Sequence, residues 1–416
     1  MACVSIQGGS PLNGEIHIQG SKNAALPMLA ACLLARGETK LYNCPHIRDV
    51  YNMLKILEAM GCHTQMHPDH VTVDTSPALT GEISEADASA MRSSVMLMGA
   101  ALGRLHYVSI PWPGGCCIGK RPVDIHLKAL EAMNVCIRSS DRGLECQTTG
   151  LRGSTVDFPY PSVGATENVI LAAVLAEDTT VIRHAAKEPE IIDLCLFLNA
   201  MGADIHGMGT GCIIIHGVKR LRSIAYRVMP DRIVAGTYLA AAAATGGDVT
   251  AVDVGTRDLG PTLDVLADMG CGIVLKNRQV RVIAPPLLLP AECIHTQPFP
   301  GFPTDMQSQL MVCLTAARGT SVICEEIFED RFKIVPWLLK MGADIGIEQN
   351  KAVIRGGTPL HGCAVEACDL RGGAALVIAG LMAEGNTLVG RPDYIERGYE
   401  DICRDLSQLG AKICKV

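Results

Sequence analysis

The chain has 416 residues, 48% of them hydrophobic and 19% charged, with 36 Lys and Arg against 43 Asp and Glu for a formal net charge of −7. That length exceeds one small core and suggests two domains, and the composition excludes a disordered chain. The acidic balance argues against a general nucleic-acid or anionic-membrane surface, so any site for an anionic ligand must concentrate its cations locally.

The opening residues, MACVSIQGG, offer neither a basic stretch nor an apolar run. No secretory leader is read there, and the cytoplasm is the expected location. Next comes NAALPMLAACLLARGET, apolar nearly all round as a buried helix is, then a second helix ending in LEAMGC at 57 and a strand-like HVTVDT. The succession recurs along the chain. SSVMLMGAALG leads to LEAMNV at 130, ENVILAAVLAEDTT to LNAMGA at 198, and GTYLAAAAATGGD to LADMGC at 266. QSQLMVCLTAARGT then leads to LLKMGA at 338, and GAALVIAGLMAEGNT to LSQLGA at 406. The endings are spaced by 73, 68, 68, 72 and 68 residues, and Gly after the last apolar residue is a helix C-cap signal. One unit is therefore a buried helix, a strand, a connecting loop, a second helix and two or three strands, used six times.

After LSQLGAKICKV the last unit stops one or two strands short, while SIQGGSPLNGEIHIQGSKN near the start matches IRGGTPLHGCAVEACDLRG. Residues 1–21 are expected to complete the sixth unit. The fold class expected is thus α/β, with two pseudo-symmetric three-repeat domains. One spans 22–229 and carries the loop 111–121; the other spans 230–416 plus 1–21, and a cleft between them holds the site. No apolar run approaches the ~18 residues of a membrane span. None of the 18 cysteines is spaced as Cys-x-x-Cys, so a zinc ribbon or a disulfide scaffold is not expected and buried thiols in a reducing compartment are.

The starts of the six buried helices read GSKNAAL, DASAMRSSV, PSVGATEN, PDRIVAG, PTDMQSQ and CDLRGGAA. Free N–H groups and the helix dipole make such ends anion sites. Lys22, Arg92 and Arg371 stand in or near three first turns, where a cation opposes the dipole and costs local stability; an anionic ligand explains that choice. Asp231, Asp305 and Asp369 admit a plainer reading as N-caps. For Asp305, Thr304 beside it is the better cap, which would free the carboxylate. A phosphorylated substrate with several negative charges is expected.

PGGCCIGKRPVDIH, taken with GSKNAALP, PSVGATEN, AAKEPEIID, PDRIVAGT, FPTDMQSQ, DLRGGAALVIAGL and RGYEDI, resembles the enolpyruvyl transferases over essentially the whole chain, and among them the UDP-N-acetylglucosamine 1-carboxyvinyltransferases. The resemblance implies two inside-out α/β barrel domains around buried helices. It implies transfer of the enolpyruvyl group of phosphoenolpyruvate to the 3′-hydroxyl of UDP-N-acetylglucosamine with release of phosphate, opening peptidoglycan synthesis, with no metal and no cofactor. That chemistry protonates the substrate at C3, attacks the cationic C2 with the sugar hydroxyl, and expels phosphate from a tetrahedral ketal. It needs an acid, a base and several cations.

By the same resemblance Cys116 is the loop cysteine that donates a proton and can bond to the phosphoenolpyruvate carbon, where the epoxide fosfomycin alkylates the family. Lys22, Arg121 and Arg397 are the phosphoenolpyruvate clamp, with Arg92 and Arg371 nearby. Asn23 bonds the sugar, Asp305 is the base at the 3′-hydroxyl, and Asp369 is close to the proton transfers. Arg121, Pro122, Val123 and Asp124, with Ser162, Val163 and Gly164, match the nucleotide-contacting segments, and Ile327 an apolar wall. His126 is left between packing and function; Glu188 and Glu190 match a family motif or order the loop between the halves, and Asp231 and Arg232 are read as similar hinge-region elements. Tyr160, Val234, Glu396 and Cys117 depart from the family pattern. Two alternatives remain: 3-phosphoshikimate 1-carboxyvinyltransferase, which shares fold and chemistry, and a non-catalytic UDP-sugar-binding paralogue.

Overall fold

A computed structural model describes residues 2–112 and 123–416. Their α-carbons cluster into two compact units, one of 2–19 and 230–416, the other of 20–112 and 123–229. Each has its own hydrophobic core.

All six expected buried helices form. In the unit of 20–229 they are Lys22–Ala31, Leu97–Leu105 and Val163–Ala173, the second of which packs on the other two. In the other unit Arg232–Ala244, Gln307–Ala316 and Leu370–Met382 pack on one another. Residues 24–31 of the first helix are all buried, as are 370–381 of the last, so a sequence without a polar face finds no water to avoid. Sheets cover these helices, so each unit is an inside-out α/β barrel, helices within and strands without.

The six outer helices end alike, for one backbone reason. The residue after the cap takes a left-handed conformation at Gly61, Asn134, Gly202, Gly270, Gly342 and Gly410. Its N–H bonds the carbonyl three residues back, and the next N–H bonds the carbonyl five back, as in Cys62 to Leu57 at 2.9 Å and Ala411 to Leu406 at 3.0 Å. This double bond satisfies carbonyls that the helix leaves orphaned. Asn134, the one departure from Gly, is the residue that best tolerates that conformation.

Among the described residues five four-stranded sheets share one order. In each, an edge strand runs parallel to the strand that follows a buried helix; beyond it lie the last and then the middle strand of the repeat, each antiparallel to its neighbour. Thr155–Asp157, Thr179–Arg183, Cys212–His216 and Asp204–His206 make one such set, and Ile294–His295, Gly319–Cys324, Lys351–Gly356 and Asp344–Glu348 another. The sheet of Tyr107–Pro111, Gly143–Gln147 and Cys136–Ser140 has only a single parallel bridge, Glu82 to Ser109, in the edge position.

The chain start corrects the expectation that 1–21 serve the sixth repeat alone. Cys3–Gln7 lies inside the sixth sheet, antiparallel to Asn386–Gly390 on one side and Lys412–Lys415 on the other. Asn13–His17 instead pairs in parallel with Asp248–Val252 of the fourth repeat. The other unit closes on itself in the same way: Ala225–Arg227, from its third repeat, supplies the parallel edge beside Glu38–Tyr42 of its first. Deleting 2–19 therefore removes an interior strand and an edge strand together and leaves open edges. The expected result is loss of the cooperative thermal transition and aggregation; a truncated protein with an unchanged transition would contradict the closure.

Among the described residues no helix is long and apolar enough to cross a membrane. Burial pushes the Cys62 and Cys195 thiols up to about 12 and those of Cys146, Cys271 and Cys403 to about 11. These thiols stay protonated and unreactive near neutral pH.

Candidate active site

In the unit of 2–19 and 230–416, the starts of the three buried helices each carry an aspartate with its own duty. Asp231 caps Arg232–Ala244, its Oδ1 accepting from Ile233 and Val234 N–H at 2.8 and 3.0 Å. Asp369 caps Leu370–Met382, its Oδ1 accepting from Arg371 and Gly372 N–H at 3.0 and 2.9 Å. Asp305 caps nothing. Its carboxylate is suspended between two arginines, Arg331 through Nη2 on Oδ1 and Arg371 through Nη2 on Oδ2, the latter at 3.1 Å. Asp305 keeps 27% of its side-chain surface exposed while both arginines keep 3%, so the acid faces outward and its cations back it.

The expected cap at Thr304 is not there. Its hydroxyl donates to Glu325 Oε2 at 2.9 Å and accepts from Arg331 Nε at 3.2 Å. With its oxygen engaged by Arg331 the hydroxyl is not offered to the helix N–H groups, and the buried Glu325 that takes its proton in a hydrogen bond also gathers Thr296 Oγ1 and the N–H groups of Ile327 and Phe328 on Oε1, at 2.9, 2.9 and 3.1 Å. Glu325 thus shapes the turn that presents Ile327, and Arg331 links that turn to Asp305. Arg331 also lies 3.7 Å from Asp369. Neither Arg331 nor Glu325 is expected from the sequence; neither stands at the start of a buried helix.

Burial disfavours the charge on Arg371, but Asp305, the Tyr399 hydroxyl and Asp231 together outweigh it and hold the guanidinium above its ordinary value. Among the described residues its Nη1 has no hydrogen-bond partner. A buried guanidinium donor without an acceptor is costly unless a ligand supplies one.

Arg397 ends the turn Pro392–Arg397 and is half-buried. Gln19 donates to the Gly398 carbonyl at 3.1 Å and accepts from Glu400 N–H at 2.9 Å, which fixes the backbone just beyond it. Tyr399 is held through Thr237, hydroxyl to hydroxyl at 2.8 Å. Glu396, a departure from the family pattern, pairs with Lys415 at 3.1 Å on the surface.

The other unit carries the remaining described residues. Ser21 caps Lys22–Ala31 by accepting from Ala24 N–H at 3.4 Å, and this places Lys22 and Asn23 in the first turn, both half-buried. Lys22 Nζ lies 3.4 Å from Asp49, which is 1% exposed; this partner too was not expected. Ser162 caps Val163–Ala173 through Ala165 N–H at 3.3 Å. Gly164 has no side chain because a Cβ would meet the His126 ring at 3.1 Å. His126 Nδ1 lies 2.8 Å from the Asn168 side-chain amide, whose oxygen takes Gly99 N–H at 2.9 Å and whose nitrogen also donates to the Val95 carbonyl at 3.0 Å. The amide thus donates to His126, whose ring lies against Gly164. Val123 is buried and Asp124 exposed at the start of Asp124–Ala132. Glu188 stands at the start of Pro189–Met201 and Glu190 is buried in its first turn; Arg232 lies over the Phe299 ring at 5.6 Å. Tyr160 is exposed. Cys116, Cys117, Arg121 and Pro122 fall outside the described residues, as does the side chain of Arg92.

The model of the EPSP synthase (3-phosphoshikimate 1-carboxyvinyltransferase) family matches residues 6–406. The chain is 46% identical over 416 residues, 100% of both chains, to UDP-N-acetylglucosamine 1-carboxyvinyltransferase 2 of Caldanaerobacter subterraneus subsp. tengcongensis. It is 44% identical over 99% of both chains to UDP-N-acetylglucosamine 1-carboxyvinyltransferase of Halothermothrix orenii. Among solved structures, the enolpyruvyl transferase NikO from Streptomyces tendae matches with a TM-score of 0.91 at 24% identity, over 100% of this chain and 99% of that one. EPSP synthase from Acinetobacter baumannii matches with 0.79 at 20%, over 100% of both, so the fold persists where sequence has drifted far. The chain belongs to the EPSP synthase (3-phosphoshikimate 1-carboxyvinyltransferase) family, the enolpyruvyl transferases.

Proposed function

We propose that this chain transfers the enolpyruvyl group of phosphoenolpyruvate to the 3′-hydroxyl of UDP-N-acetylglucosamine with release of phosphate, in the cytoplasm, opening peptidoglycan synthesis. The names of its full-length relatives support that acceptor. The observation at the site that carries the reading is the carboxylate of Asp305 held outward by Arg331 and Arg371, with Arg371 Nη1 left for an anionic oxygen.

Asp305 is the base at the sugar hydroxyl. Cations beside a carboxylate weaken it as a base, and a phosphate that draws one of them away restores it. Substrate binding at Arg371 would then prepare the base in the same step. Lys22, steadied by Asp49, together with Arg121 and Arg397 holds the phosphate and carboxylate of phosphoenolpyruvate, because guanidinium forks match both groups. Arg92 and Arg371 assist with phosphate. Cys116 delivers the proton to C3, with Asp369 near the proton transfers although its Oδ1 serves the helix cap. Asn23 bonds the sugar; Pro122, Val123, Asp124, Ser162, Val163, Gly164 and Ile327 contact the nucleotide.

Phosphate release decides between acceptors. Phosphoenolpyruvate is expected to yield phosphate when UDP-N-acetylglucosamine is present and not with shikimate 3-phosphate. Comparable turnover of the shikimate compound would overturn the acceptor, and no turnover of either would favour the binding paralogue.

A further inference from the structure

The strand pair beside Glu325 carries three side chains that the proposed reaction does not use. Ile294–His295 runs parallel to Gly319–Cys324 with His295 opposite Cys324. Cys293 lies two residues before His295, so the twofold alternation of a strand turns it to the same side, while Ile294 between them is buried. Cys293 Sγ is 3.7 Å from Cys324 Sγ and 3.2 Å from His295 Nε2. On the far side of the ring, His295 Nδ1 lies 2.7 Å from Glu326 Oε1.

We propose that Cys293, His295 and Cys324 are the ligands of a tetrahedral soft-metal site of the kind that takes Zn²⁺, its fourth position open to water. The proposal goes beyond the enolpyruvyl reaction and does not depend on it. Two thiolates and an imidazole are the donor set that zinc prefers among divalent ions of biological abundance. Zn–S bonds of about 2.3 Å in a tetrahedron set the sulfurs about 3.8 Å apart, against the 3.7 Å found here. The Sγ to Nε2 separation is a hydrogen-bond distance; replacing the shared proton by the metal spreads it by about 0.3 Å. Glu326 takes the Nδ1 proton and so leaves the Nε2 lone pair facing the sulfurs, the carboxylate–histidine arrangement that orients metal ligands. On binding, one Zn²⁺ replaces two thiol protons, which pass to solvent, and the bis-thiolate site carries no net charge.

Cys-x-x-Cys spacing cannot reveal such a site, because 293–295 and 324 meet only through strand pairing. The metal would also have a structural consequence. His295 precedes Thr296 and Cys324 precedes Glu325, and Glu326 N–H donates to Thr296 Oγ1 at 2.8 Å. The clip would therefore tie an edge strand to the strand that leads into the Glu325 turn.

The test uses the full-length protein, metal-free and reduced with a phosphine, titrated with Co²⁺ and followed by thiolate-to-cobalt absorption. One equivalent is expected to saturate the bands, and Zn²⁺ to abolish them and raise the melting temperature. Cys293→Ser and His295→Ala, both at exposed positions, should lose the saturable bands, and Glu326→Gln should weaken binding about 10–100-fold. Cys136→Ser and Cys212→Ser should behave as wild type. Bands that survive in Cys293→Ser, or a reduced wild-type protein that gives none and only forms a Cys293–Cys324 disulfide on oxidation, would overturn the site.

Discussion

Asp305→Asn is expected to lower kcat by roughly 10²–10⁴-fold while UDP-N-acetylglucosamine still binds and the protein still folds. Asparagine keeps the size of the side chain and one acceptor oxygen, so a hydrogen bond from Arg331 or Arg371 can persist. It has no charge and no basic lone pair to take the hydroxyl proton. Removing one partner of a buried ion pair is ordinarily severe, on the order of 3–5 kcal/mol, because the other charge is stranded. Here neither arginine is stranded. Arg331 retains Thr304 and the nearby Asp369, and Arg371 retains the charge of Asp231 and the Tyr399 hydroxyl. The loss in stability should therefore be much smaller than the loss in rate. Arg331→Met separates the two effects in the other direction. It keeps the carboxylate but removes its tie to Thr304 and the Glu325 turn, so melting temperature and nucleotide affinity should fall together. Paired measurements of kcat and melting temperature check both variants. A near-normal kcat in Asp305→Asn would move the base elsewhere. Asp369 would be the next candidate, though one of its oxygens is already committed to two backbone N–H groups.

Much of this architecture is written in local chemistry. The six buried helices lack a polar face, and the six outer helices end in Gly or Asn after a Met or Leu, which only the left-handed cap explains. Both signals survive in a single sequence because each depends on a few adjacent residues. The edge strands do not have that property. Asn13–His17 and Ala225–Arg227 precede one buried helix in the chain but pair with the sheet of another, and nothing in NGEIH or AYR names the partner. The match between the chain start and residues 354–372 did reveal that strands missing from the sixth unit lie there; it could not show that two of them serve different sheets. The site divides along the same line. Lys22, Asp305, Asp369 and Arg371 are legible because they stand at helix starts. Asp49, Glu325 and Arg331 act from turns and from the start of an outer helix, where a charged residue is usually solvated. No local signal singles out Arg331, since Lys333 two residues on carries the same charge and is part-exposed beside Asp330. The Thr304 expectation failed because Arg331 Nε occupies the hydroxyl oxygen that a cap would offer to N–H groups, while the hydroxyl proton is turned to the buried Glu325.

The Cys116→Ala variant is expected to abolish turnover, and Cys117→Ala to leave it within a few-fold. Two thiols stand side by side in PGGCCIGK, and the reaction needs one acid. The family register selects Cys116, directly after Gly114 and Gly115, where residues without side chains allow close approach to a ligand. Cations in the same segment, Lys120 and Arg121, favour the thiolate, which is the nucleophile toward an epoxide. Cys116→Asp should retain part of the activity, since a carboxylic acid can also deliver a proton to C3. Fosfomycin, which mimics phosphoenolpyruvate, is expected to add one label per chain, at Cys116, and faster when UDP-N-acetylglucosamine is bound. The other cysteines offer little competition: those in the cores are held protonated by burial, and an exposed thiol without a bound phosphonate gains nothing from proximity. Peptide mapping of the singly substituted proteins reads the result. Label that vanishes in Cys116→Ala and persists in Cys117→Ala supports the assignment. The reverse pattern would transfer the acid to Cys117.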